Sequence, residues 1–210
     1  MRRTKADAQL TRESLLDAAE ALFAEHGVSR TSLNDIARAA GLTRGAVYWH
    51  FEDKAALFND MMARTTQPME DTLNAIDTQA EVQPLLALRA SALDALRRIV
   101  HDPRTRRVFE IVTQKVEFVD DLLGARQRHI TEHRTCSEQI QATFARAQAL
   151  GQLPAQAHLQ TLTIGFLALI NGLIHNWLLD PTSFDLDTVA PQAIDAYLRG
   201  AGALLATTQT

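Results

Sequence analysis

Two short stretches of the chain carry residue types at spacings that chemistry could use. HITEH, residues 129–133, sets two histidines one helical turn apart, with a glutamate beside the second. Such a pair can share one metal ion while the glutamate serves as general base, as in the inverted zinc peptidases. The surroundings disfavour it, because Arg126, Arg128 and Arg134 lie in the same segment and repel a dication. No third ligand stands out downstream, although Asp and Glu residues are numerous there. A zinc hydrolase built on His129, Glu132 and His133 is the minor reading, and a solvated helix face the main one. No catalytic residue, metal or cofactor is expected.

The second stretch is TRGAVYWHF, residues 43–51, with Tyr48, Trp49, His50 and Phe51 in a row. A helix packed on a core buries one face, and residues four apart share it. Val47 and Phe51 therefore point inward together. Gly45, Ala46, Tyr48 and Trp49 point outward or sideways, with Arg44 at the N-terminal end. His50 falls between, open either to outward contact or to partial burial against the next helix. The outward set suits a nucleic-acid groove. Gly45 and Ala46 permit close backbone approach, Arg44 fits a guanine edge or a phosphate, and the rings can bond phosphates or touch thymine methyls.

The longer segment LNDIARAAGLTRGAVYWHFE, residues 33–52, supplies the scaffold for that helix. Ala37 is small where two helices cross, Gly41 allows a left-handed turn, and Val47 plugs the core between them. Ile36, Ala40 and Leu42 fill the other inward positions. These offsets are those of a helix-turn-helix, whose second helix enters the major groove. Thr31 and Ser32 offer phosphate contacts from the first of its two helices. Lys54 starts the helix that follows, where its charge and the free N–H groups would both meet the phosphate backbone.

Helical periodicity extends along nearly the whole chain. Leu15, Leu16, Ala19, Leu22 and Phe23 mark a first helix stopped at His26-Gly27, and Ser32 with Asp35 forms a capping box for the second. Asp53 caps a longer helix striped by Leu57, Phe58, Met61, Met62, Thr65, Met69, Leu73 and Ile76. Further helices are predicted near 82–100, 103–118, 121–150, 155–179 and 186–205. Pro84, Pro103, Pro154, Pro181 and Pro191 fall at or beside their starts, where a missing N–H matters least. The expected fold is all-α: a three-helix unit over 1–52, then a helical body over 53–210 that opens with a connecting helix at 53–77.

Composition fits this reading. In 210 residues, 46% are apolar and 22% charged, which are globular values. The net charge of −4 argues at first against a polyanionic partner, but it is unevenly spread. Residues 1–64 hold nine basic and nine acidic residues, so the whole excess lies beyond them. Arg2, Arg3, Lys5 and Arg12 make the N-terminus a locally basic arm on an acidic body, and local charge governs phosphate binding. The single cysteine, Cys136, excludes an internal disulfide and suits a reducing compartment. The stretch MRRTKADAQL lacks the apolar core of a signal peptide, so a cytoplasmic location is expected.

RTSLNDIARAAGLTRGAVYWHFEDKAALF, with RRTKADAQLTRESLLDAAEALFAEHGV before it, resembles the DNA-binding segment of the TetR family of bacterial repressors. Within that family it is similar to efflux-pump repressors of the AcrR and TtgR type. The resemblance is looser in the body, where DPRTRRVFEIVTQKVEFVDD, GQLP and GLIHNWLLDPTSFDL carry it. It implies that Thr31, Ser32, Thr43, Arg44, Gly45, Tyr48, Trp49, His50 and Lys54 occupy DNA-contacting positions on a palindromic operator. It also implies that Phe109, Val112, Thr113, Val116, Cys136, Ile140, Leu167, Ile170, Asn171 and His175 line a site for a small hydrophobic inducer. Relatives often place more polar residues at the positions of Phe109 and Thr113, which points to flatter, more apolar ligands here. Each of these positions taken singly is about as readily plain core.

From Ala147 to Leu179 there is no charged residue. A membrane span is disfavoured because Thr163, Asn171, His175 and Asn176 interrupt the run and no basic flank orients it. Gly165, Ala168 and Gly172 would let another helix approach closely. The resemblance implies a homodimer through the last two helices, 155–179 and 186–205. Cys136 is read as a small buried hydrophobe rather than a redox switch.

Overall fold

The computed structural model describes residues 5–75, 82–117 and 120–202. Those residues form nine α-helices and no strand. Arg2, Arg3, Ile76 and the predicted helix ends at 76–77, 118 and 203–205 lie outside them. The chain divides into two compact units. The first comprises residues 1–67 and 104–131, the second 68–103 and 132–210. This division sets part of the expected body, 53–67 and 104–131, with the first three helices.

In the first unit, α1 (Lys5–His26) ends at Gly27, whose φ of 83° reverses the chain. Helix α2 (Leu33–Ala39) starts on the expected capping box, with the Asp35 N–H donating to Ser32 Oγ and the Ser32 N–H donating to the Asp35 carboxylate. Gly41, at φ 68°, makes the turn into α3 (Arg44–His50), capped by Thr43 Oγ1. Asp53 caps α4 (Lys54–Ala75) by accepting from the Ala56 N–H at 2.7 Å. Pro68 sits inside α4, and the division between units falls at it. A proline interior to a helix deletes one backbone bond, here to the Arg64 carbonyl.

Leu15, Leu16, Phe23, Ile36, Val47 and Leu57 converge into the core of this unit, and Val108, Ile111 and Leu122 complete it. The last three come from α6 (Pro103–Glu110) and the turns after it. The expected continuous helix over 103–118 does not form. After Glu110 the backbone passes into a π turn, Ile111–Lys115, and Thr113 donates its hydroxyl back to the Phe109 carbonyl, a bond of the kind that bends helices. The Lys115 carbonyl accepts from the Val28 N–H at 3.1 Å, tying this turn to the loop between α1 and α2. A buried carboxylate needs partners, and Glu20 has three: Arg64, Arg104 and Arg107.

In the second unit, α5 (Pro84–His101), the latter part of α7 (Leu123–Ala149), α8 (Leu159–Leu179) and α9 (Leu186–Gly200) share a core that includes Leu88, Leu96, Phe144, Phe166, Trp177 and Ile194. Phe144 and Phe166 meet edge to face at 6.0 Å. Arg89 of α5 grips Asp195 of α9 through two nitrogens. Two expectations are corrected here. Helix α8 starts at Leu159 rather than 155, because Gln148 ties down the carbonyls of Pro154, Ala155 and Ala157 in a turn and His158 supplies the cap. Pro191 lies inside α9, not beside its start. Gly165 is closely approached by the Tyr197 ring of α9 in the same chain, whose hydroxyl donates to the Leu162 carbonyl at 2.7 Å.

Candidate nucleic-acid interface

Seven residues of α3 serve two opposed purposes. Val47 is fully buried and Phe51, its C-cap, nearly so, while Tyr48 is 48% exposed and Trp49 72%. Arg44 lies over the Tyr48 ring at 5.5 Å, one turn apart, which holds both side chains on the outward face. Gly45 is exposed, with nothing nearer to an added Cβ than 4.0 Å in its own cap. His50 is half-buried between Trp49, edge-on at 4.6 Å, and Phe51.

Beside this face lies an open cleft of about 600 Å³, lined among others by Ser32, Asn34, Arg44, Tyr48, Lys54 and Asp121. The structure therefore brings Thr31, Ser32, Arg44, Tyr48 and Lys54, five of the expected residues, to one cleft. It alters the part that two of them, and Arg12 of the basic arm, can play. Thr31 is buried and donates its hydroxyl to the Gly27 carbonyl, so it holds the loop rather than facing outward. Lys54, expected as an exposed cation, is only 7% exposed, because its ammonium turns back to the Val28 and Thr31 carbonyls and pairs with Asp121. Arg12, counted with the basic arm, belongs to α1, where it pairs with Asp60 and covers the Phe51 ring. Ser32 remains exposed while serving as a cap, and hydrogen bonds from its side chain and backbone hold the Asp35 carboxyl below its ordinary range.

Asp121 was not legible as part of this site. It is remote in sequence from α2–α4, and nothing local to VEFVDDLL marks it.

The ten residues expected to meet a ligand divide between the units. In the first, Val112 and Val116 pack against the core, Phe109 is half-buried, and Thr113 is exposed. In the second, Ile140 is buried, Cys136, Leu167 and Ile170 are half-buried, and Asn171 and His175 are exposed on α8. His129 and His133 are both exposed, and no group of three metal-donor residues occurs among the described residues.

Comparison with known proteins decides the family. Residues 15–61 match the bacterial regulatory proteins of the tetR family, and residues 83–201 match the C-terminal region of MAATS-type transcriptional repressors. The chain belongs to the TetR family. Its curated TetR-family relatives include the HTH-type transcriptional regulator TtgR of Pseudomonas putida, 40% identical over 186 residues that cover 89% of each chain. Among solved structures it resembles NalD, the secondary repressor of the MexAB-OprM multidrug efflux pump in Pseudomonas aeruginosa. That likeness has 39% identity, covers 92% of this chain and 96% of that one, and has a TM-score of 0.84. A complex of SmeT with triclosan matches at 30% identity and TM-score 0.82, over 96% and 100% of the two chains. Members of the TetR family are transcriptional regulators, not enzymes, and its repressors bind operator DNA and small ligands and act as dimers.

Proposed function

We propose that this TetR-family protein represses a multidrug efflux operon and leaves its operator when a small apolar or aromatic molecule binds. The observation that carries the DNA-binding half is the split of α3, with Val47 and Phe51 buried and Arg44, Tyr48 and Trp49 presented outward from a rigid scaffold. Two such helices about one DNA turn apart, ~34–36 Å, would read a palindrome. The second copy would dock on α8, where Ile164, Ala168 and Leu179 lie exposed along one face. A helix that is apolar on its inner and outer faces alike fits burial on both sides. By length and composition α8 could also cross a membrane, but Thr163, Phe166, Ile174, Trp177 and Leu178 already bury its inner face. A protein that reads DNA would work in the cytoplasm.

The efflux reading follows NalD and SmeT, repressors of multidrug efflux pumps, and the SmeT complex with triclosan supports an aromatic inducer. The inducer need only prefer the form that cannot bind DNA; ~1–3 kcal/mol of coupling lowers affinity 5–150-fold. A second reading, regulation of a metabolic operon by a metabolite, shares the same head. Footprinting on the DNA upstream of its gene, repeated with dyes, antibiotics and plant phenolics, tests both. Release by several unrelated aromatics supports the drug reading; release by none of them sinks it.

A further inference from the structure

Lys54 stands where α4 meets the cleft beside α3, and its three N–H donors are all taken. An ammonium has three such donors and no acceptor. Two go to backbone carbonyls, Val28 at 3.1 Å and Thr31 at 3.3 Å, which fix the loop between α1 and α2. The third faces the Asp121 carboxylate, with Oδ2 at 2.8 Å. The two carbonyls lie on the buried side. Asp121 is 57% exposed and lies on the solvent side, in the same open cleft as Ser32, Arg44 and Tyr48.

We propose that Asp121 sets how tightly this face holds DNA, because its carboxylate occupies the place on Lys54 that a phosphate oxygen must take. The inference rests on the DNA-binding reading above. With Asp121 in place the ammonium and carboxylate cancel, and an approaching phosphate meets no free donor on Lys54. Binding then exchanges one anion for another. Asp121 can turn out to water without disturbing the core, since it is more than half exposed and is no part of that core. Lys54 keeps its two carbonyls throughout, so the loop that starts α2 stays fixed. The carboxylate reaches the head from the segment between the π turn and α7, the same segment whose Lys115 carbonyl is bonded to Val28. A shift of that segment would therefore change the supply of positive charge at the interface directly.

The test uses the full chain and two probes: the duplex upstream of its gene and a random-sequence duplex, titrated from low to high salt. Asp121→Asn should tighten binding to both duplexes by roughly fivefold or more per head at low salt, because a phosphate contact is blind to sequence. It should also steepen the dependence of log K on log salt by about 0.9 per head, one further phosphate neutralised. Glu52→Gln is the control, since Glu52 lines the same cleft but makes no ion pair with Lys54 among the described residues. A gain for Asp121→Asn several times that for Glu52→Gln supports the proposal. Equal gains overturn it in favour of general charge repulsion. Weaker binding overturns it too, and makes Asp121 a clamp on which the head's geometry depends. If the wild-type chain binds neither duplex at any salt, the DNA-binding reading itself has failed.

Discussion

Helices α3 and α8 both leave large apolar side chains in the open, and the chemistry of the two faces differs. The outward residues of α3 are aromatic with polar edges, Tyr48 and Trp49, next to Arg44 and the Thr43 cap. Those of α8 are aliphatic, Ile164 at 58% exposure and Leu179 at 69%, aligned with Ala168, Asn171 and His175. An aromatic ring with a hydrogen-bonding edge beside a guanidinium serves a polar, anionic groove. An aliphatic face bearing few charges suits another protein surface of its own kind better than a polyanion. Exposure alone does not tell a DNA face from a protein face; the atoms at the edge of the exposed group do.

The comparison breaks most visibly on α8. If the proposed dimer forms on α8, Ile164→Glu places two like charges across its two-fold contact, which costs several kcal/mol. Sedimentation should then report one chain instead of two, and DNA affinity should fall with it. An unchanged mass would remove α8 from the contact. On α3, Val47→Ala opens a cavity in the core of the first unit and should lower stability by about 2 kcal/mol, read by denaturant unfolding. The inner face of α8 offers a parallel at Gly165→Ala, where the new methyl must displace the Tyr197 ring and strain its bond to Leu162. A loss of about 1–2 kcal/mol is expected, and an unaffected melting curve would mean that Tyr197 yields freely.

Tyr48→Ala separates the two faces of α3 from each other. It should weaken DNA binding by about tenfold, worth about 1.4 kcal/mol, yet shift stability by no more than about 0.5 kcal/mol. Loss of both together would make Tyr48 a packing residue. The smallest effect concerns the cap that aligns α2 with α3. Hydrogen bonds from Ser32 lower the Asp35 pKa, so Asp35 contributes its stabilisation above the ordinary carboxylate range and loses it as pH falls through the lowered value. Ser32→Ala should return the Asp35 pKa towards that range in an NMR titration, and an unmoved titration would assign the shift elsewhere.

Residues 15–53 were legible in detail because their signals are local. Ser32 with Asp35, Gly41, Thr43 and Asp53 each act within four residues of themselves, and the alternation of Val47 and Phe51 with Tyr48 and Trp49 follows from helical phase alone. The reading weakened wherever a residue's partner is remote. Pro191 resembles a helix start, yet α9 is already under way at Leu186.

By itself, then, the order of residues determined the all-helical class, the helix-turn-helix and which side of α3 faces out. These depend on periodicity and capping over a few residues. Only the tertiary structure decided that Lys54 is turned inward, that Arg12 is occupied within the protein, and that a carboxylate from residue 121 stands in the cleft. Each of those depends on which charges and carbonyls the folded chain brings within hydrogen-bonding distance. No local pattern encodes that distance.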